Sequence, residues 1–186
     1  MLSISFLSNG YSQVMNKTAG DIASTLYFTI QPLDNWMYQT YSNTAMAEFM
    51  NFGPVNAIHL SPVELEDENN KTSLVGDFTQ NEKYSFKNSP LTHYEKYLLK
   101  DYISPQYWNV IKNENNYTID GEKTLRIIGN SNNTTVEDSF KDSKFVFYAT
   151  LHDNSAYLFS LFGDSKSFDK YLDEFEQMVK SIKWVD

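Results

Sequence analysis

At 186 residues the chain has the length of one domain, and its 41% hydrophobic and 16% aromatic content supplies the core material that an intrinsically disordered chain lacks. A formal net charge of −9, with Arg126 as the only arginine, excludes nucleic acid as a partner, because phosphate neutralisation needs clustered Lys and Arg; anionic membrane surfaces are disfavoured by the same argument. The absence of cysteine removes disulfides, thiolate metal sites and a Cys nucleophile, and leaves the redox compartment open.

The N-terminal "MLSISFLSNGYSQ" carries a short apolar patch and then Gly10-Tyr11-Ser12, a small-x-small spacing like that of a signal-peptidase site. It lacks a basic leading region, and its apolar stretch is shorter than the usual ~7–15 residues. Residues 1–25 are therefore expected to be a signal-like remnant and flexible arm, and 26–186 a single domain. Five sequons, at Asn16, Asn70, Asn116, Asn132 and Asn133, fall in polar loops or strand ends where a glycan could be accommodated. Together these features point to a secreted or cell-envelope protein, with the cytoplasm as the alternative location. Nothing approaches the roughly 18 consecutive apolar residues of a membrane-spanning helix, so only peripheral membrane attachment stays open.

From Tyr27, "YFTI" alternates as a strand with Phe28 and Ile30 on one face, and Pro32 stops it. "NWMYQTYS" continues the alternation, with Trp36, Tyr38 and Thr40 opposite Met37, Gln39 and Tyr41. A strand at 55–61 follows the Gly53-Pro54 turn, and "VELEDENNKTSL" reads as an exposed acidic loop. Residues 89–103 predict a helix, with Ser89 as cap, Pro90 at the first helical position, and Leu91, Tyr94, Leu98 and Tyr102 as its apolar stripe. Residues 115–129 predict a hairpin whose turn is Asp120-Gly121. A second hairpin pairs 144–151 with 156–162 across "HDNS". The final helix starts after Gly163, capped by Ser165 or Ser167. Phe168, Leu172, Phe175, Val179 and Ile182 form its inner stripe, and Asp169, Lys170, Asp173, Glu176 and Lys180 its solvated face. The sum is an α+β fold: an antiparallel β-sheet of about six strands flanked by helices.

No catalytic constellation emerges, and the expectation is a non-enzyme without a cofactor. His59, His93 and His152 lie on separate elements at no metal-ligand spacing. Glu64, Glu66, Asp67 and Glu68 offer hard-cation oxygens for a weak calcium site, but without the spacing or glycine of an EF-hand, so the loop reads as solvated and no metal ligands are assigned. There is no G-x-S-x-G, H-E-x-x-H or Gly-rich phosphate loop. Paired carboxylates that meet only in the fold leave a hydrolase as a remote alternative. Trp36, Tyr38, Tyr41, Tyr107 and Trp108 are the candidate surface for a ligand or partner; core packing is the competing reading for the strand aromatics. Tyr107 and Trp108, after Pro105, are the pair expected at the surface, beside a concave, partly apolar site.

Four stretches carry a resemblance: "FTIQPLDNW", "SPLTHYEKYLL", "YTIDGEKTLRII" and "AYLFSLFGDSKSFDKYLDEFEQMVKSIKW". In order and spacing they resemble the PsbP-like domains, named after an extrinsic protein of the photosystem II oxygen-evolving complex, over residues 26–184. The resemblance implies an α/β/α-like sandwich, export or membrane-peripheral location, and an accessory or assembly role. It implies neither water oxidation nor calcium or chloride ligands, for which no motif of this chain is a counterpart. The leading expectation is thus a non-enzymatic, exported accessory domain that binds a protein of an envelope or membrane-associated complex. The alternative is a carrier of a small ligand or of calcium. Neither the partner nor the oligomeric state is written in the sequence.

Overall fold

The computed structural model describes residues 22–25, 27–43, 55–62, 74–81, 90–136 and 140–185. The strands are β1 (Ala23–Ser24), β2 (Phe28–Ile30), β3 (Trp36–Asn43), β4 (Val55–Pro62), β5 (Leu74–Asn81), β6 (Trp108–Ile119), β7 (Glu122–Ser131), β8 (Ser143–His152), β9 (Ser155–Asp164) and β10 (Lys183–Trp184). The helices are α1 (Leu91–Tyr97), which continues as a π-helical turn over Leu98–Tyr102, and α2 (Ser165–Lys180).

Seven strands form one antiparallel sheet in the order β3-β4-β5-β9-β8-β7-β6. It joins two meanders, β3–β4–β5 and β6–β7–β8–β9, through the pairing of β5 with β9. Between them α1 carries the chain over one face to the outer edge at β6. Both tight turns of the second meander are two-residue turns with positive φ, Asp120-Gly121 (45° and 91°) and Asp153-Asn154 (46° and 65°). That conformation matches the right-handed strand twist and favours Gly, Asn and Asp. The loop expected as "HDNS" thus narrows to Asp153-Asn154, with His152 and Ser155 paired in the ladder.

Alternation sorts the side chains onto the two faces. Leu125, Ile127, Phe145, Ala149, Ala156 and Leu158 pack under Tyr94 and Leu98 of the α1 segment. Val146, Tyr148, Tyr157, Phe159 and Leu161 pack under Phe168, Tyr171, Phe175, Met178 and Val179 of α2. Each such aromatic or aliphatic burial contributes roughly 1.5–3 kcal/mol, which makes the twin cores the main stabilising term. A three-stranded sheet, β1-β2-β10, completes the α2 side, where Phe28 and Ile30 are buried. The strand pairing begins at Ala23, inside the stretch read as an arm.

Three local expectations are corrected. Pro90 is the N-cap of α1, not its first helical residue, and its extended ψ of 153° explains this; Ser89 lies outside the described residues. Asp164, not Ser165 or Ser167, caps α2, because its carboxylate accepts from the backbone N–H groups of Lys166 (3.1 Å) and Ser167 (3.0 Å). The large sheet also includes β5, a central strand assigned to no element by its sequence.

Candidate functional site

The α1 face owes its shape to the π-helical turn. Ile103 N–H donates to Leu98 O at 2.7 Å, the five-residue step of a π-turn. This wider turn shifts the apolar stripe by one position: Ile103 is 3% exposed, whereas Tyr102 is 47% exposed. The Tyr102 ring stands 5.7 Å from Phe147, tilted by 64°. A turn at Ser104, which accepts the N–H groups of Tyr107 and Trp108, then delivers Trp108 to the start of β6.

Between these elements lies a cavity of about 260 Å³ lined by Tyr102, Ile103, Trp108, Phe145, Phe147 and Phe162. Trp108 stands nearly perpendicular to Phe145 (5.7 Å, 89°) and to Phe162 (5.6 Å, 85°). Gly129 of β7 makes room for this arrangement, since a Cβ there would lie 2.3 Å from Cζ of Phe145. Phe140, 42% exposed, packs on Trp108 and Phe162 at its rim, and Tyr107, Val110 and Ile111 are further exposed apolar side chains before and along β6. Contiguous exposed apolar surface of this kind marks interaction sites in monomeric proteins.

The opposite face holds a polar cluster around Arg126. Its Nη1 donates to Glu114 at 2.8 Å, its Nη2 pairs with Glu176, and its Nε donates to the Tyr148 hydroxyl at 2.9 Å. The Tyr148 hydroxyl in turn donates to Glu176 at 2.7 Å. The Tyr117 ring lies 5.5 Å from the guanidinium carbon. Burial disfavours the Arg126 charge, but Tyr148 and the two carboxylates outweigh it and hold the group protonated. Burial, aided by Glu176, pushes the Tyr148 phenol up. Glu114 is held below its ordinary range by Lys112 first and Arg126 second. Every partner is satisfied within the cluster, which ties β6, β7, β8 and α2 together.

A third constellation clasps the C-terminal strand. Asp120 accepts from Lys183 Nζ (2.6 Å) and from the Trp184 N–H (3.1 Å). The His152 ring stacks on Trp184 at 4.3 Å, and its Nδ1 lies 3.1 Å from Glu122.

The aromatic residues singled out in the sequence divide. Trp36 and Tyr38 are core residues, 1% and 7% exposed. Trp36 packs edge-on to Tyr171 of α2 and donates its indole N–H to Glu174 at 2.6 Å, so it faces helix, not solvent. Tyr41 pairs with Ala57 in the ladder, and its side chain lies outside the description. Trp108 is half-buried and lines the concave site, while Tyr107 is 42% exposed and outside that lining. The other residues there, Tyr102, Phe140, Phe145, Phe147 and Phe162, were indistinguishable from core in the sequence; the only available signal was the same-face placement of Phe145 and Phe147.

Among the sequons, Asn116 is exposed on β6 beside the irregularity between Glu114 and Tyr117. Asn132 accepts from the Thr134 hydroxyl at 2.7 Å, and Asn133 bridges Ser131 and Asp142. Asn16, Asn70 and the acidic residues 64–68 lie outside the described residues. Among the described residues no group of three or more His, Asp or Glu is placed to hold a metal ion. His93 is exposed on α1 and His152 is held by Trp184 and Glu122. Glu176, assigned to the solvated face of α2, belongs to the Arg126 cluster instead: its side chain is 15% exposed at the border of the apolar stripe.

No protein-family model and no curated protein matches the chain in sequence. The fold is nevertheless shared with solved structures. Cyanobacterial PsbP (CyanoP) from Synechocystis sp. PCC 6803 aligns at TM-score 0.54 and 9% identity, over 97% of this chain and 98% of that one. A protein of unknown function from Pseudomonas aeruginosa aligns at TM-score 0.51 and 9% identity, over 68% of this chain and 80% of that one. The architecture is thus α+β and PsbP-like.

Proposed function

We propose that this chain is a non-enzymatic accessory domain that works outside the cytoplasm and binds another protein through its α1 face. The observation that carries this reading is the aromatic cavity with the exposed rings of Tyr102 in its lining and Phe140 packed on Trp108 and Phe162. Interfaces of moderate affinity concentrate their energy in such aromatic anchors, ringed by less critical contacts. The PsbP-like fold supports an accessory role, and the paired elements from Ala23 to Trp184 support a single domain following an N-terminal arm. Among the described residues no helix is long and apolar enough to cross a membrane, which suits a peripheral partner of a larger complex. Sequons at Asn116, Asn132 and Asn133 agree with an extracytoplasmic setting.

The test is capture from the native cell-envelope fraction with the intact chain, in parallel with a Tyr107→Asp/Phe140→Asp variant. A partner retained by the wild type and lost by the folded variant supports the reading. A partner retained equally by both, or an intact Met1 in native protein recovered only from cytosol, defeats it. The cavity also favours a second reading, a carrier of a small ligand, and this leads to a sharper inference.

A further inference from the structure

The cavity has a chemistry that narrows its occupant. Among the described residues five of its six lining side chains are aromatic and none carries a charge, with the Tyr102 hydroxyl and the Trp108 indole N–H as their polar groups. An anion would lose hydration there with no cationic side chain among the described lining residues to replace it. Aromatic rings present electron-rich faces, so a weakly hydrated cation gains electrostatic attraction that a neutral group of the same shape does not. Trp108 stands edge-to-face against Phe145 and Phe162, so rings in two nearly perpendicular orientations border the cavity. At about 260 Å³ the space suits a compact headgroup more than a drug-sized ligand, whose pockets span roughly 300–1,000 Å³. The chain's net charge of −9 raises the local concentration of cations around it. The same attraction already operates on the opposite face, where Arg126 sits over Tyr117 and Lys170 lies 4.7 Å from the Tyr171 ring centroid.

We propose that the cavity formed by Tyr102, Ile103, Trp108, Phe145, Phe147 and Phe162 is a binding site for a quaternary ammonium group. A cation without N–H donors fits best, because among the described residues the lining supplies no carboxylate to accept them. The inference concerns the same face as the protein-binding reading but does not depend on it.

The test is an amide NMR titration of the intact chain with choline and with its uncharged isostere, 3,3-dimethylbutan-1-ol. Choline is expected to shift resonances of the lining residues and to bind at least about fivefold tighter than the alcohol, the preference a partly desolvated cation–π site gives. Trp108→Leu keeps an apolar wall and removes a ring, so it should weaken choline at least about fivefold and leave the alcohol within about twofold. Phe162→Leu serves the same purpose should Trp108→Leu fail to give a dispersed spectrum. A second arm compares a trimethyl-lysine peptide with its unmethylated form; tighter binding of the methylated peptide than of choline assigns the group to a protein partner, and the reverse assigns it to a free solute. Equal affinity for choline and the alcohol, or no shift with either, overturns the cation site while the envelope-capture result stands by itself. Leucine variants that leave the choline preference unchanged also overturn it.

Discussion

Replacing Arg126 with methionine is the most informative single change, because the guanidinium on β7 is the shared partner of groups on three other elements. The substitution keeps apolar bulk under α2 but leaves Glu176, with its side chain 15% exposed, facing a buried strand without a cation. Removing one partner of a buried ion pair costs about 3–5 kcal/mol, and partial exposure of the carboxylate lowers the expectation to about 2–4 kcal/mol. Glu114 on the open edge strand is left out of that figure. Near this size about 1 kcal/mol corresponds to roughly 2–4 °C in Tm, so the variant should melt about 4–16 °C lower. Adding Glu176→Gln should recover part of the loss, since the orphaned charge is then gone and the Tyr148 hydroxyl keeps an acceptor. The pH dependence has a definite sign. In the wild type Glu114 is held below its ordinary range, so its contribution is present above the unfolded value, about 4.3, and fades as pH falls through the lower folded one. Lys112, the larger cause, stays in the variant, so the gap between wild type and variant should narrow only by the Arg126 share as pH falls through the folded value. Urea unfolding at neutral pH and at a series of pH values from about 4 downward measures all of this. A loss under about 1 kcal/mol, or no recovery on adding Glu176→Gln, would show that water already screens the cluster and that the reasoning fails.

Three further outcomes are expected. Gly129→Ala should destabilise by about 1–3 kcal/mol and displace Phe145, because the new Cβ would stand 2.3 Å from its ring and 2.6 Å from Asn109 O; a crystal structure and a urea midpoint check both parts. Asp164→Ala removes the cap of α2 and should cost about 1 kcal/mol with little change in the urea slope, whereas Ser165→Ala and Ser167→Ala should leave the cap's backbone bonds intact. Asp120 is held low by Lys183 first and the Trp184 N–H second, so its stabilisation is present above the unfolded value and lost as pH falls through the folded one. Asp120→Asn keeps a residue that tolerates the φ of 45° and should flatten that acid limb of a thermal-stability profile.

What the sequence made legible follows from how local each signal is. The Asp120-Gly121 hairpin and the stripe of α2 were readable because turn chemistry and a 3.6-residue period act within a few positions. β5 was not, because "LVGDFTQN" contains Gly76 and Asp77, which depress strand propensity. The structure supplies the reason for the glycine: a Cβ on Gly76 would meet the Phe175 ring at 3.1 Å, so strand propensity yields to the packing of α2. The π-turn was hidden likewise, since "YLLKDYI" has a regular helical stripe and only the burial of Ile103 in place of Tyr102 marks the extra residue. Arg126 carried a signal that went unused, as the lone charge amid "LRII", a strand apolar on both faces, needs a buried counter-charge. Its partners come from distant strands and a helix, and no spacing rule connects them. The aromatic cavity is the same case, for Phe145 and Phe162 read as core and only the fold sets Trp108 beside them.

The pairing of β5 with β9 also dictates an order of assembly. Leu74 finds its partner only at Gly163, and Thr29 finds Lys183 close to the end of the chain. Pairings this far apart in sequence require a large loop to close first, and chains dominated by them fold on the slow side of the range for their size. During synthesis from the N-terminus, the β3–β4–β5 meander therefore emerges with the flank of β5 open until the final hairpin is complete. An open strand flank of that kind recruits other chains. A nascent chain stopped before Ser155 would hold β3–β4–β5 and β6–β7–β8 with no strand to join them, and aggregation of such truncations, set against solubility of the full chain, is the kinetic signature this topology leaves.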